Sequence, residues 1–313
     1  MKSRYLVDPG LLEVFDTLPR VEFTAELLPA IRAAGLPLQA DPAAADVDLA
    51  RRKVPGPRGA PEVEVAIYTP RHRSGAIPCI FHIHGGGYVV GSTAALEPIH
   101  LSLAAAAGCC IVSVEYRLAP ETRFPGAIED CYAALSWLFA QAGSLGVDGA
   151  RIGVMGESAG GGLAAALALL ARDRREHKLT FQHLIYPMLD DRTCVTPSPH
   201  PFAGEFLWTP HNNAFGWSSL LGAAPGSPDV SPYAAAARAT DLSELPPTFI
   251  STGALDLFVE EDMEYARRLI RAGVPVELHV YAGGYHAFDV LTNAPIAATA
   301  KRDSVAALRR FLK

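Results

Sequence analysis

Charge is scarce in this 313-residue chain: 19% of its residues are Asp, Glu, Lys or Arg, against 50% hydrophobic ones. That balance excludes intrinsic disorder, which needs few apolar residues and high net charge. An excess of positive charge is missing too. Twenty-seven Lys and Arg face 33 Asp and Glu, a formal net charge of −6, the reverse of what a nucleic-acid binder carries. No stretch reaches the ~18 uninterrupted apolar residues that a membrane span needs. The longest apolar helical run, residues 160–171, gives way to a charged one at 172–178. The N-terminus reads MKSRYLVDPGLLEVFDTLPR, with acids and prolines where a signal peptide has its apolar stretch. Cysteine is limited to five residues, Cys79, Cys109, Cys110, Cys131 and Cys194. They are odd in number and lack metal-ligand spacing, which reads as buried, reduced thiols in a cytoplasmic protein. At this length one core buries roughly 75% of the surface of the unfolded chain, so no disulfide or metal staple is required.

Apolar periodicity divides what is there into three parts. Residues 1–50 carry short helical patterns (Leu11, Leu12, Phe15 and Leu18; then Ala25, Leu28 and Ile31) broken by Pro9, Pro19, Pro29 and Pro37. From residue 62 onward, strand-like runs at 62–69, 79–83, 110–116, 151–155 and 181–186 alternate with helical ones at 94–107, 127–140 and 159–172. The alternation pauses at 190–239, a proline-rich stretch with one expected helix at 213–221. It resumes with a strand at 248–252, a helix at 261–272, a strand at 276–281 and a helix at 294–312. Such a pattern predicts an α/β fold, a mainly parallel central sheet with helices on both faces. The expected organisation is a catalytic domain over residues 51–313, with 1–50 and the insertion 190–239 folding over one edge as a helical cap.

The strongest chemical signal is Gly156-Glu157-Ser158-Ala159-Gly160, a G-x-S-x-G pattern directly after a strand and directly before an apolar helix. A turn that tight strains its central residue, and the flanking glycines let the chain bend without Cβ clashes. The serine hydroxyl then projects from the carboxyl edge of the sheet at a helix N-terminus, which favours negative charge. The plain alternative is a serine that merely caps the helix. A second signal, His84-Gly85-Gly86-Gly87, also ends a buried strand. Its glycines leave backbone N–H groups unshielded, as an oxyanion site requires. A phosphate loop is the competing reading, but the Lys-Ser/Thr ending of a Walker motif is missing.

These motifs, with Tyr116-Arg117-Leu118-Ala119-Pro120-Glu121, Phe124-Pro125 and the segments around Asp256 and His286, resemble the bacterial hormone-sensitive-lipase-like esterases of the α/β-hydrolase fold. The resemblance runs from about residue 63 to the C-terminus. Glu157 departs from it, since Asp is usual there, and so does Leu257, where Pro often follows the acid. Triad partners in this fold follow in the order serine, acid, histidine. Among the ten histidines, His286 lies in a glycine-bearing loop just past the last expected strand. His82 and His279 fall inside strands; His177, His200 and His211 fall in polar or proline-rich segments; His84 suits a loop organiser. Asp256 follows the strand 248–252, and its rivals Glu260, Glu261 and Asp262 suit the charges of a helix start. Asp190 and Asp191 also end a strand.

The expectation is therefore a carboxylic ester hydrolase with Ser158, Asp256 and His286 as its triad. The amides of Gly86, Gly87 and Ala159 form the oxyanion hole, and His84, Gly85, Gly156, Glu157 and Gly160 support it. The substrate is a small-molecule ester, water is the acyl acceptor, and no cofactor or metal is needed. The resemblance implies short to medium acyl chains and a homodimer through the edge strand at 276–281. An amidase or peptidase with the same triad, and a non-catalytic ligand receptor on this fold, are the alternatives.

Overall fold

Seven strands rich in apolar or β-branched residues and one charged edge strand pair into one sheet in a computed structural model that describes residues 1–34, 46–290 and 294–313. Residues 35–45 of the expected cap, Pro37 among them, and 291–293 lie outside the described residues. The strands are β1 (Val47–Val54), β2 (Val63–Pro70), β3 (Ile77–Ile83), β4 (Cys110–Glu115), β5 (Val147–Glu157), β6 (Gln182–Ile185), β7 (Thr248–Gly253) and β8 (Val276–Tyr281). Their order is β1-β2-β4-β3-β5-β6-β7-β8. The pairs β1–β2 and β2–β4 are antiparallel, and every other pair is parallel.

Alternation along the strands assigns the two faces of the sheet. Cys79, Phe81 and Ile83 of β3, with Val112 and Val114 of β4, pack against α4 (Gly126–Leu145) and α5 (Ala159–Arg174), and α7 (Val259–Arg271) joins the same core over β7 and β8. Ile80 and Ile111 point the other way, toward α3 (Glu97–Ala107) and α8 (Pro295–Phe311). Both faces are covered, so the central strands are buried almost throughout, as parallel sheets require. The strand β1 has no counterpart among the expected elements, and it crosses the expected boundary at residue 50. Only its end residues Val47 and Val54 are buried, with six exposed residues between them, so no alternation marks it. Its run of Arg51, Arg52 and Lys53 suits an exposed edge, where charge discourages pairing with other chains. Among the described residues no helix is long and apolar enough to cross a membrane, and all five cysteines are free thiols, with Cys194 only half-buried.

The N-terminal segment and residues 190–239 meet each other. α1 (Pro9–Thr17) starts at Asp8, whose carboxylate accepts the Gly10 amide at 2.9 Å, and Phe15 packs edge-on against Phe206 at 5.1 Å. Phe23 packs against Trp208 and donates its amide to Asn212 Oδ1 at 3.0 Å, while Asn212 Nδ2 returns to the Val21 carbonyl at 3.0 Å. Asn212 belongs to α6 (Pro210–Leu221). Arg32 of α2 (Leu28–Ala34) donates to the Val89 and Ala119 carbonyls and to Glu121.

The insertion is closed on itself by a buried ion pair. Asp191, fully buried, accepts two bonds from Arg238 at 2.8 Å and the Gly226 amide at 2.6 Å. Truncating one member leaves the other charge buried without a partner. Asp191→Ala is expected to lower unfolding free energy by about 3–5 kcal/mol, measured by urea denaturation. A loss below about 1 kcal/mol would mean that the pair does not brace this segment.

Candidate active site

The elbow follows from its sequence. β5 ends at Glu157 and α5 begins at Ala159, so one residue makes the turn, and Ser158 takes φ 56° and ψ −123°. For a residue with a Cβ this is strained backbone. Glycine on both sides permits it: a Cβ at Gly160 would overlap the Ile83 and His84 carbonyls, and one at Gly156 would overlap Gly160. The turn is braced from β6 and the segment after it. Ser158 donates its amide to the Ile185 carbonyl at 2.9 Å, and its own carbonyl accepts from the Met188 amide at 2.9 Å.

The Ser158 side chain makes no capping hydrogen bond. Its Oγ instead lies 2.9 Å from His286 Nε2, and His286 Nδ1 lies 2.9 Å from Asp256 Oδ2. Asp256 Oδ1 accepts the Phe258 amide at 3.0 Å, which aims the other oxygen at the ring. The loops that carry Asp256 and His286 are strapped together. Leu255 donates to Gly284 and Ala254 to Tyr281, both at 2.9 Å, and a Cβ at Gly253 would overlap the Gly284 carbonyl. The three side chains are 7%, 0% and 6% exposed for Ser158, Asp256 and His286. Tyr186, Phe258 and Trp208 surround the imidazole, with ring centroids 4.9, 5.2 and 6.1 Å away.

The glycine loop after β3 lies against this turn. A Cβ at Gly85 would stand 2.8 Å from the Glu157 carbonyl oxygen and 3.3 Å from Ser158 Cβ. Gly86 and Gly87 take φ 122° and 59°. Among the described residues, the amides of Gly86, Gly87 and Ala159 donate to no protein acceptor. His84 stacks on Tyr116 at 4.3 Å with Nδ1 2.8 Å from the Gly85 carbonyl, and the Tyr116 hydroxyl donates to the His84 carbonyl at 2.9 Å. His84 thus shapes the loop and does not reach Ser158.

The rival acids have other partners. Asp190 pairs with Arg192, and Asp191 with Arg238. Glu260 is exposed. Glu261 and Asp262 are not the solvated helix-start charges that their position suggests. Glu261 is buried and accepts the Leu189 and Asp190 amides and the Thr193 hydroxyl. Burial holds the Glu261 and Asp262 carboxyls well above the ordinary range. Sequence reasoning also misses the contact of His82 with Glu157, at 2.9 and 3.0 Å to the two carboxylate oxygens. The period-2 pattern of β3 is its only available signal, since it places residue 82 opposite the face of Phe81.

A serine on a strained strand-to-helix turn, in hydrogen-bond reach of a histidine that rests on a buried carboxylate, defines a protein of the serine-hydrolase class. A family described as alpha/beta hydrolase fold matches residues 80–290, and the chain belongs to it, among the hormone-sensitive-lipase-like esterases. It is 34% identical to carboxylesterase NlhH of Mycobacterium tuberculosis over 314 residues, 98% of this chain and 96% of that protein. The solved structure of a bacterial heroin esterase superimposes with a TM-score of 0.92 at 41% identity, covering 99% of each chain. That of esterase LipW from Mycobacterium marinum does so with a TM-score of 0.83 at 32% identity, covering 98% and 96%. The chain is a carboxylesterase.

Proposed function

We propose that Ser158, His286 and Asp256 hydrolyse small-molecule esters of short to medium acyl chain through an acyl-enzyme. The observation that carries this reading is the unbroken line of two 2.9 Å contacts from Ser158 Oγ through His286 to Asp256. His286 Nε2 takes the hydroxyl proton as Oγ attacks the ester carbonyl, then gives it to the departing alcohol. Asp256 accepts the Nδ1–H, which keeps Nε2 free, and stabilises the imidazolium. The carbonyl oxygen becomes an oxyanion facing the amides of Gly86, Gly87 and Ala159, where removal of one donor costs about 3–4 kcal/mol in a comparable hydrolase. Water then attacks the acyl-enzyme, His286 again taking the proton, and Ser158 leaves with it. Residues 190–239 and the N-terminal segment act as the cap, with Trp208 between the oxyanion loop and the imidazole.

Labelling with a fluorophosphonate tests the assignment directly. The expected result is one covalent adduct, located on Ser158 by peptide mass mapping, with loss of activity in proportion to labelling. A protein that stays unlabelled at Ser158 would be a ligand receptor on this fold. Faster turnover of a matched anilide than of the ester would favour an amidase.

A further inference from the structure

We propose that His82 is a positioning residue for the nucleophile: with Ser113 it holds the Glu157 side chain, and through it the Glu157–Ser158 peptide. This rests on Ser158 being the nucleophile.

The side chain of His82 stands on the α3 face of the sheet beside Ile80, Ile111 and Met155, and it is fully buried. An apolar residue would fill that place without any desolvation of polar atoms. Instead a hydrogen-bonded chain runs through it. Ser113 Oγ lies 3.1 Å from His82 Nδ1, and His82 Nε2 lies 2.9 and 3.0 Å from the two Glu157 oxygens. His100 of α3 packs edge-on against the ring at 4.1 Å, and Tyr68 packs on His100 at 5.0 Å. The His82 ring is therefore held on its nitrogens and on its face.

Burial pushes the His82 pKa down to about 3, so the ring is neutral and carries one N–H. Against an ionised Glu157 that proton sits on Nε2, and Nδ1 accepts from the Ser113 hydroxyl. The order is hydroxyl to imidazole to carboxylate, one residue behind the Ser158 turn. Burial also pushes Glu157 up to about 7, with His100 and His84 opposing. His82 contacts Glu157 directly, and His84, His100, Tyr116, Tyr186 and Asp289 act on it or feel it electrostatically. When Glu157 takes up a proton, its O–H can donate to Nε2 while Nδ1–H turns to Ser113. The chain of hydrogen bonds survives and the charge beside Ser158 does not.

Two pairs of variants separate position from charge. His82→Phe keeps the ring volume but cannot donate to Glu157. It is expected to lower kcat on p-nitrophenyl butyrate, and the fluorophosphonate labelling rate, by about 10- to 100-fold, with KM within about twofold. His82→Gln, whose amide N–H can reach Glu157, should recover most of that loss. Glu157→Gln keeps an acceptor for Nε2–H and removes the charge. It should retain most of the wild-type kcat and labelling rate, while Glu157→Ala, which leaves Nε2–H without an acceptor, should lose as much as His82→Phe. Labelling of His82→Phe at the wild-type rate would overturn the inference, and so would labelling of Glu157→Ala at the wild-type rate. The second readout stands if His82→Phe does not fold. Wild-type protein that is not labelled at Ser158 would instead overturn the esterase mechanism itself.

Discussion

Ser158→Ala is expected to lower kcat on a p-nitrophenyl ester by about 10⁵- to 10⁶-fold, the scale seen when the serine is removed from another serine hydrolase. The hydroxyl is the only group of the elbow aimed at His286 Nε2, and alanine offers no nucleophile in its place. The remaining rate should come from the proposed oxyanion amides and substrate binding acting on water. Folding should survive. The turn is held by backbone bonds from Ser158 to Ile185 and Met188, and alanine bears the same φ 56° strain as serine. The measurement is steady-state kinetics with a thermal melt beside it. Activity within tenfold of wild type, in a folded variant, would remove Ser158 from the mechanism.

The second large effect is at the acid. Asp256 is fully buried, and its Oδ2 accepts from His286 Nδ1 while Oδ1 is occupied by the Phe258 amide. In Asp256→Asn an amide NH₂ can face Nδ1, favouring the tautomer with its proton on Nε2, which cannot then accept the serine proton. The imidazolium also loses its counter-charge. The expected loss in kcat is about 10²- to 10⁴-fold. KM should change little, because Asp256 contacts His286 Nδ1, on the side of the ring away from Ser158. Glu260→Gln is the control. Glu260 is exposed in the first turn of α7, where a carboxylate contributes only through the helix dipole, so the loss should stay below about tenfold. A greater loss at Glu260 than at Asp256 would mean that the acid is misassigned.

The elbow is legible in the amino-acid sequence because its determinants are local. A strand, a glycine, a serine, another glycine and a helix lie within a few residues, and the steric limits on φ and ψ leave such a segment few ways to turn. The two-faced sheet is legible for a similar reason: the mostly apolar runs of β3 and β4 report burial on both faces, whereas the alternation in β2 suggests a half-buried strand and its middle is buried on both faces. β1 escapes because its exposed middle carries no period, and only its pairing with β2 makes it a strand.

What the sequence by itself determined is the set of backbone turns and the side chains placed on them. Tertiary structure alone decided which of those side chains meet. Ser158 and His286 are 128 residues apart, and Asp256 and His286 30. Their 2.9 Å contacts depend on β5, β6, β7 and β8 lying side by side in that order, which no local pattern encodes. The same holds for Glu261, whose place in a helix start suggests a solvated charge, yet whose carboxylate closes on residues 189–193. It holds also for His82 and Glu157, brought together because β3 and β5 are parallel neighbours in register from Cys79 to Ile83. A side chain's type is a local property. Its partner is set by strand order, because only the packed sheet brings distant residues within hydrogen-bond reach.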